Sequence, residues 1–381
     1  MKSLLLLVAV GLFMANPACA KTVYTGDRID GARVIDKLDI ADLPTGRTEL
    51  WFRALDSALG QAWYVPVIVL KGSKPGPRLL LTAGIHGDEL NGIAVIQALA
   101  QQLNPSDLSG AVVAVPGLNT PGLLHSTRTF SAGHTGSGGN LNRLIPSDPT
   151  ATQGDTDASG RYAARLWSQL FIGNADLAID MHTQSRGGAY PAYVFAQTGA
   201  ARHIADMLRP DVINMDPGVE GSVENMLNGA GIAAVTYELG TAESWDQGLI
   251  DRARAGIIKV MSDAGMLPVK TATDGSTTPA GPNPFVGNET YDVTSPRGGW
   301  AHVRVRLNED IKAGDILATV TNAFGDTVAT LTAPYDAHVL DVAVDPRTDP
   351  GDNIVRLIRW NDALPCKADG CPSTAAMVKG K

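Results

Sequence analysis

Residues 78–89 read Arg78-Leu79-Leu80-Leu81-Thr82-Ala83-Gly84-Ile85-His86-Gly87-Asp88-Glu89. An unbroken apolar run ends on a glycine, and an imidazole and two carboxyl groups follow at once. Such a run suits a strand buried on both faces, as in a parallel or mixed sheet covered by helices. From Asp88 to Leu103 the apolar residues Ile93, Ile96, Ala100 and Leu103 recur at helical steps, which predicts a helix. The polar turn therefore lies at the carboxyl end of a buried strand, where ligands gather in open α/β sheets.

The same alternation continues on both sides. Leu50 to Ala54, Ala62 to Leu70 and Ala111 to Pro116 read as strands, and Pro66 argues for an edge position for the second of them. A polar loop from about Asn119 to Gly160 follows; loops of that length inside a domain are usually functional or disordered. Helical patterns cover Tyr162 to Phe171, Ala201 to Leu208, Ser222 to Leu227 and Gln247 to Met261. Strand patterns cover Leu177 to Met181, Tyr193 to Ala196 and Ala233 to Tyr237. The fold class is α/β, a mixed sheet flanked by helices, over 21–269. Residues 270–284 are Pro- and Gly-rich and read as a linker. Beyond it, 285–361 changes to short strands separated by turns, a small all-β domain, and 362–381 is a tail.

The chain has 381 residues and a formal net charge of -8, with no basic stripe, so a nucleic-acid partner is not expected. Lys2, the apolar run Leu4 to Met14, and Ala18-Cys19-Ala20 read as an export signal cleaved after Ala20. The run is too short for a good membrane span, and no later segment approaches one. The expected location is periplasmic or secreted. Removing Cys19 leaves Cys366 and Cys371, a close pair that an oxidising compartment favours as a disulfide, with two free thiols as the alternative.

Three further signals join the first. His86 and Glu89 stand three apart, a spacing that lets both face one point in a first helical turn; alternatively, Asp88 caps the helix and His86 merely fills a turn. His182, in Asp180-Met181-His182-Thr183, ends another buried strand and would supply a third ligand. Two imidazoles and one carboxylate leave an open position, the arrangement of a catalytic zinc. Strand alternation puts Asp180 on the face of His182, where it orients that ring or pairs elsewhere. Glu238, in Tyr237-Glu238-Leu239-Gly240, needs a polar partner at the end of an apolar strand. It reads as a general base or as a salt-bridged carboxylate. In the loop, Arg128 and Asn142-Arg143 offer guanidinium forks for a carboxylate or a developing oxyanion, or are plain surface charges.

Together, His86 to Glu89 (HGDE), Arg128, Asn140 to Arg143 (NLNR), Asp180 to Thr183 (DMHT) and Tyr237 to Gly240 (YELG) resemble the succinylglutamate desuccinylase/aspartoacylase branch of the zinc carboxypeptidase superfamily. The motifs stand in the family's order, and the match covers about Leu79 to Met261. The resemblance implies one Zn2+ held by His86, Glu89 and His182, and Glu238 as the base. It implies Arg128 on the scissile carbonyl and Asn142 with Arg143 on the substrate's carboxylate. Arg186 is similar in placement to a family arginine near the substrate. The family usually carries Asp where this chain has Asn140. The 285–361 segment looks like a barrel-sandwich of the biotinyl/lipoyl type, for which Lys312 sits in an ordinary turn and no attached cofactor is expected.

The function these readings favour is zinc-dependent hydrolysis of the amide bond of an N-acyl amino acid or similar small molecule with a free carboxylate. The alternatives are an exported carboxypeptidase acting on peptides or cell-wall fragments, and a metal- or ligand-binding protein without catalysis. The sequence names neither the acyl group, the amino acid nor the oligomeric state.

Overall fold

The computed structural model describes residues 21–57, 59–130, 139–148, 157–215, 217–268 and 282–364. The export signal, the Cys366–Cys371 pair and most of the 270–284 linker lie outside these residues.

In chain order the first lobe holds strands β1 (Val23–Ile29), β2 (Ala32–Lys37), β3 (Gly46–Asp56), β4 (Ala62–Lys71), β5 (Lys74–Ala83), β6 (Ser109–Pro116), β7 (Leu177–Gln184), β8 (Gly188–Ala189), β9 (Ala192–Phe195), β10 (Val212–Asn214), β11 (Ala233–Thr241) and β12 (Phe285–Gly287). Its helices are α1 (Asn91–Gln102), α2 (Thr120–His125), α3 (Ala158–Arg165), α4 (Gly199–Leu208), α5 (Val223–Gly229) and α6 (Gln247–Asp263). All of these strands except β8 form one mixed sheet in the order β1-β2-β3-β4-β6-β5-β7-β11-β9-β10-β12. Its centre, β6-β5-β7-β11, is parallel throughout.

Side-chain alternation along β5 explains the continuous apolar run. Leu79, Leu81 and Ala83 join the core that holds residues of α1, α4 and α6, while Leu80 joins the opposite core, under α3 and α5. Both faces are covered, so both parities must be apolar. Pro66 lies inside an interior strand, not an edge strand. The ladder from β4 to β6 runs only from Ile68 to Lys71, so on the β6 side no partner faces Pro66. The expected loop after Asn119 contains α2, capped by the Asn119 side chain on the Gly122 amide, and a single turn at Leu141–Arg143.

Phe285–Gly287, assigned from sequence to the β domain, pairs with β10 and closes the large sheet. The following strands are β13 (Glu289–Thr294), β14 (Gly299–Val303), β15 (Asp310–Ile311), β16 (Ile316–Thr321), β17 (Thr327–Thr332), β18 (Ala337–Ala343), β19 (Arg347–Thr348) and β20 (Asn353–Arg359). They form two separate sheets, β13-β20-β18-β15 and β17-β16-β14-β19, around a core that includes Leu317, Val339 and Leu357. Among the described residues there is no closed barrel. The two lobes are stitched together: β8 pairs with β18, and Tyr190, Tyr193 and Val212 share an apolar cluster with Leu340 and Ile358. No helix among the described residues is long and apolar enough to cross a membrane.

Candidate active site

The site is laid out by strand register. On one face of the sheet, Thr82, Asp180, Thr236 and Phe195 stand side by side across β5, β7, β11 and β9. One step of two residues onward, His182, Glu238 and Tyr193 form the next row. This is the face that α3 and α5 cover further back, so the rows sit where apolar cover gives way to a cavity.

The turn after β5 delivers the other two residues. Gly84 turns the chain at φ +70°, and Gly87 lets the backbone pass close to Gly122, where a Cβ would lie 2.0 Å from the Gly122 carbonyl carbon. The Asn119 amide donates to the Ile85 carbonyl, and the Gly87 amide donates to the Thr127 carbonyl. These bonds tie the His86 turn to the segment carrying Arg128. The helix opens at Asn91, later than the sequence predicts, so His86 and Glu89 occupy a turn and not a helical first turn. Asp88 does not cap it; Leu90 stands at that position, and the first turn has no side-chain cap.

His86, Glu89 and His182 are each about 2% exposed, and one ligand atom from each lies within 4.8 Å of the others. The Nδ1 atoms of His86 and His182 each lie 2.8 Å from a Glu89 oxygen. Both Nε2 atoms are held from behind. His182 Nε2 is 2.8 Å from Asp180, whose other oxygen accepts from Thr82 at 2.7 Å; His86 Nε2 is 3.1 Å from the Asn140 side-chain oxygen. A ring whose outer nitrogen is held while its inner nitrogen meets a shared carboxylate has the usual form of a metal-ligating histidine. The donor set of two imidazole nitrogens and a carboxylate fits a divalent cation, and these three residues can hold one.

The electrostatics follow from these partners. Burial would raise the Glu89 carboxyl, but the two adjacent imidazoles hold it well below the usual range. Burial lowers both imidazoles; Asp180 and Glu89 overcome it at His182, which stands well above its ordinary value. His86 stays low, because burial is joined there by Arg128 and His182. The difference traces to the second partner, a carboxylate for His182 and a neutral amide for His86.

Glu238 faces His182 across the strand pair, is 8% exposed, and its Oε2 has no hydrogen-bond partner among the described residues. Burial, with Glu89 and Asp180 adding, pushes its carboxyl up to about 8. Glu238 is thus not a salt-bridged carboxylate here. Arg128 donates to Glu89 and to Ser185 Oγ, both at 2.6 Å. Asn142 accepts from the Val223 amide at 2.9 Å, which anchors α5, and the exposed Arg143 donates to the Asn142 carbonyl. Glu238, Arg128, Ser185, Asn142 and Arg143 line one cavity of about 300 Å³ with His86, Glu89 and His182.

Arg186 is not brought to this cavity. It lies beyond the end of β7, its side chain 54% exposed, bonded to Glu243 and the Ser126 carbonyl. The structure places the Arg186 guanidinium in an ion pair with Glu243, outside the residues that line the cavity. The cavity has walls that the sequence reading missed: Tyr190, Phe195, Thr236, Glu224 and, from the second lobe, Arg356. Arg356 donates to the Tyr190 hydroxyl at 2.6 Å and also pairs with Asp292. Thr236 was legible in principle from strand parity with Glu238; Phe195 and Arg356, on other strands, were not.

Fold and site define an α/β protein with a candidate metal centre at the carboxyl edge of its sheet and a buried acid beside it. Residues 75–264 match the family model of the succinylglutamate desuccinylase/aspartoacylase catalytic domain, and the chain belongs to that family. It is 36% identical over 131 residues to an N-alpha-acetyl-L-2,4-diaminobutyric acid deacetylase of Halomonas elongata, a stretch covering 34% of this chain and 35% of that protein. The match thus spans about a third of the length of that relative. Among solved structures, a succinylglutamate desuccinylase/aspartoacylase from Rhodobacter sphaeroides superposes with a TM-score of 0.72 at 22% identity, covering 85% of this chain and 98% of that one. An ectoine utilization protein from Ruegeria pomeroyi gives 0.71 at 21% identity, covering 84% and 98%. At these identities the two structures speak to the fold alone.

Proposed function

We propose that this protein is a zinc-dependent hydrolase that cleaves the amide bond of a small N-acyl amino acid. The observation that carries the reading is the buried carboxyl of Glu238 standing directly across the strand pair from His182, one of three residues able to hold a cation. Family membership supports it, as does the activity for which the Halomonas relative is named, deacetylation of an acetylated amino acid.

His86, Glu89 and His182 would hold the ion. When bound, zinc supplies a Lewis acid that polarises an acyl oxygen and acidifies water. The chain's own groups do the rest. Asn142 and Arg143 bind the substrate's free carboxylate and so fix the acyl group over the triad. Glu238 takes a proton from the attacking water as its oxygen bonds to the acyl carbon. The same carboxyl then returns the proton to the amide nitrogen as the carbon–nitrogen bond breaks, releasing a carboxylic acid and an amine. Arg128 donates toward the oxygen on which charge develops. Burial holds Glu238 up near 8; a cation at His86, Glu89 and His182 would act in the opposite direction and suit it to accept a proton near neutrality.

The small cavity, walled by the second lobe through Arg356, favours small substrates over peptides or cell-wall fragments. A binding protein without catalysis has no use for Glu238. Residues 2–20 add the proposal that the protein is exported and acts in the periplasm or outside the cell; a mature chain beginning at Lys21, read by mass spectrometry, would support it. The central test is metal analysis of purified protein combined with hydrolysis assays on N-acyl amino acids and short peptides. Zinc at about one per chain with cleavage of the former is expected; cleavage of peptides alone, or of nothing, overturns the reading.

A further inference from the structure

Arg128 reaches the site from a loop, and one of the contacts that hold it there leads into the second lobe. Its Nη1 donates to Glu89 and to Ser185 Oγ, each at 2.6 Å. Glu89 also belongs to the triad able to hold a cation, whereas Ser185 stands outside it. Ser185 follows the last residue of β7, and its backbone amide donates to the Gln184 side-chain oxygen at 2.7 Å. The other end of that side chain is fixed from β18, where Asp341 Oδ2 accepts from Gln184 Nε2 at 2.6 Å. Burial pushes the Asp341 carboxyl up to about 6, so it is ionised at neutral pH. An ionised carboxylate only accepts, and it therefore decides which way the Gln184 amide is turned. With the amide reversed, two oxygens would face each other at Asp341 and two N–H groups at Ser185.

The segment that carries Ser185 is held along its length by the same stretch of the second lobe. Val342 and Ala343 pair with Ala189 and Gly188, and the Val344 amide donates to the Gly187 carbonyl at 2.8 Å. Gly188 leaves the room that the contact needs. A Cβ there would lie 2.8 Å from Gln184 Cγ and 3.0 Å from Asp341 Oδ1. Asp341 is 3% exposed, so its charge acts on Gln184 with little screening.

Resting on the amide-hydrolase reading, we infer that Asp341 is a positioning residue for Arg128, acting through Gln184 and Ser185. The second lobe then does more than pack against the sheet and wall the cavity. It sets the guanidinium that meets the developing oxyanion. The Arg128 side chain is long and 36% exposed, so without the Ser185 contact it gains rotamers that point elsewhere. A misplacement of about 1 Å costs up to about 10²-fold in rate.

The test measures kcat and KM of the full-length zinc-loaded protein on a panel of N-acetyl-L-amino acids. Gln184→Met keeps the length of the side chain and removes both of its hydrogen bonds; Asp341→Leu removes the acceptor. Each should lower kcat by about 10- to 100-fold. KM should stay within about threefold, since the carboxylate clamp of Asn142 and Arg143 is untouched. Both substitutions are then repeated in an Arg128→Ala background. There each should cost less than about twofold more, because the side chain they position is gone. Gly188→Ala presses on the same contact without changing a charge and should show the same dependence on Arg128, which keeps the inference open to refutation if Asp341→Leu does not fold. Parent-like kcat in Gln184→Met overturns it. So do losses of equal factor with and without Arg128, which would belong to general packing. A parent that cleaves nothing in the panel takes down the hydrolase reading and this inference together; a parent that cleaves, with variants indifferent to Arg128, takes down this inference alone.

Discussion

Asp180 meets the outer edge of the His182 ring at 2.8 Å, on the opposite side from Glu89. The two residues lie on one face of β7 because they are two apart, and Thr82 from the neighbouring strand fixes the carboxylate in turn. Asp180→Asn removes the charge and keeps the shape. Metal affinity is expected to fall about 10- to 100-fold, the usual loss for such an outer partner. Competition with a chromophoric chelator measures it; an unchanged affinity would mean that Asp180 does not support the ring.

Glu238→Gln separates catalysis from metal binding. The variant should bind the ion as tightly as the parent, since Glu238 is not one of the converging ligand atoms. Hydrolysis should fall about 10²- to 10⁴-fold, the range for losing a general base. Parent-like turnover with full metal content would sink the assignment.

Arg128 and Arg143 should fail in different ways. Arg128 already reaches Glu89 within the triad, so Arg128→Ala should lower kcat, by about 10²- to 10³-fold if it serves the developing oxyanion. Arg143→Ala should raise KM with a smaller effect on kcat, because a carboxylate clamp binds ground and transition states alike. Steady-state kinetics on one N-acyl amino acid distinguishes them, and identical profiles would refute the division of labour.

Asp341 predicts a pH-dependent stability away from the metal ligands. Burial pushes its carboxyl up to about 6, against the opposing pull of Arg356 and the hydrogen bond from Gln184. Between about pH 4 and 6 the folded protein keeps this proton while the unfolded chain has lost it. Its contribution is therefore full below pH 4 and is lost as pH rises through 6, on the order of 3 kcal/mol. Asp341→Asn should flatten that decline and be the more stable protein at pH 8, as read by urea midpoints at pH 4, 6 and 8. A parent-like slope in the variant would place the titration elsewhere.

The second lobe behaves as a packing unit in this structure. Ile358 is fully buried in the cluster it shares with Tyr190, Tyr193 and Val212. Ile358→Ala should cost about 2–5 kcal/mol, and both lobes should unfold in one transition. Deleting residues 285–381 should yield insoluble protein, since it strips β12 from the large sheet and uncovers that cluster. A soluble truncated chain with higher activity on bulky substrates would instead make the lobe a gate.

The sequence alone carried the α/β class and the candidate ligands His86, Glu89 and His182. Each of those signals is local: an apolar run, a strand parity, or a motif at a strand end. Tertiary structure decided which side chains share the cavity. It turned Arg186 outward to Glu243, made Pro66 an interior residue with an open flank, and brought Glu224 and Arg356 to the wall from α5 and β20. These outcomes depend on which strand lies beside which, and on where a helix or a second lobe rests over the sheet. Such relations come from burying both faces of the sheet at once, a property of the whole chain that no short stretch records.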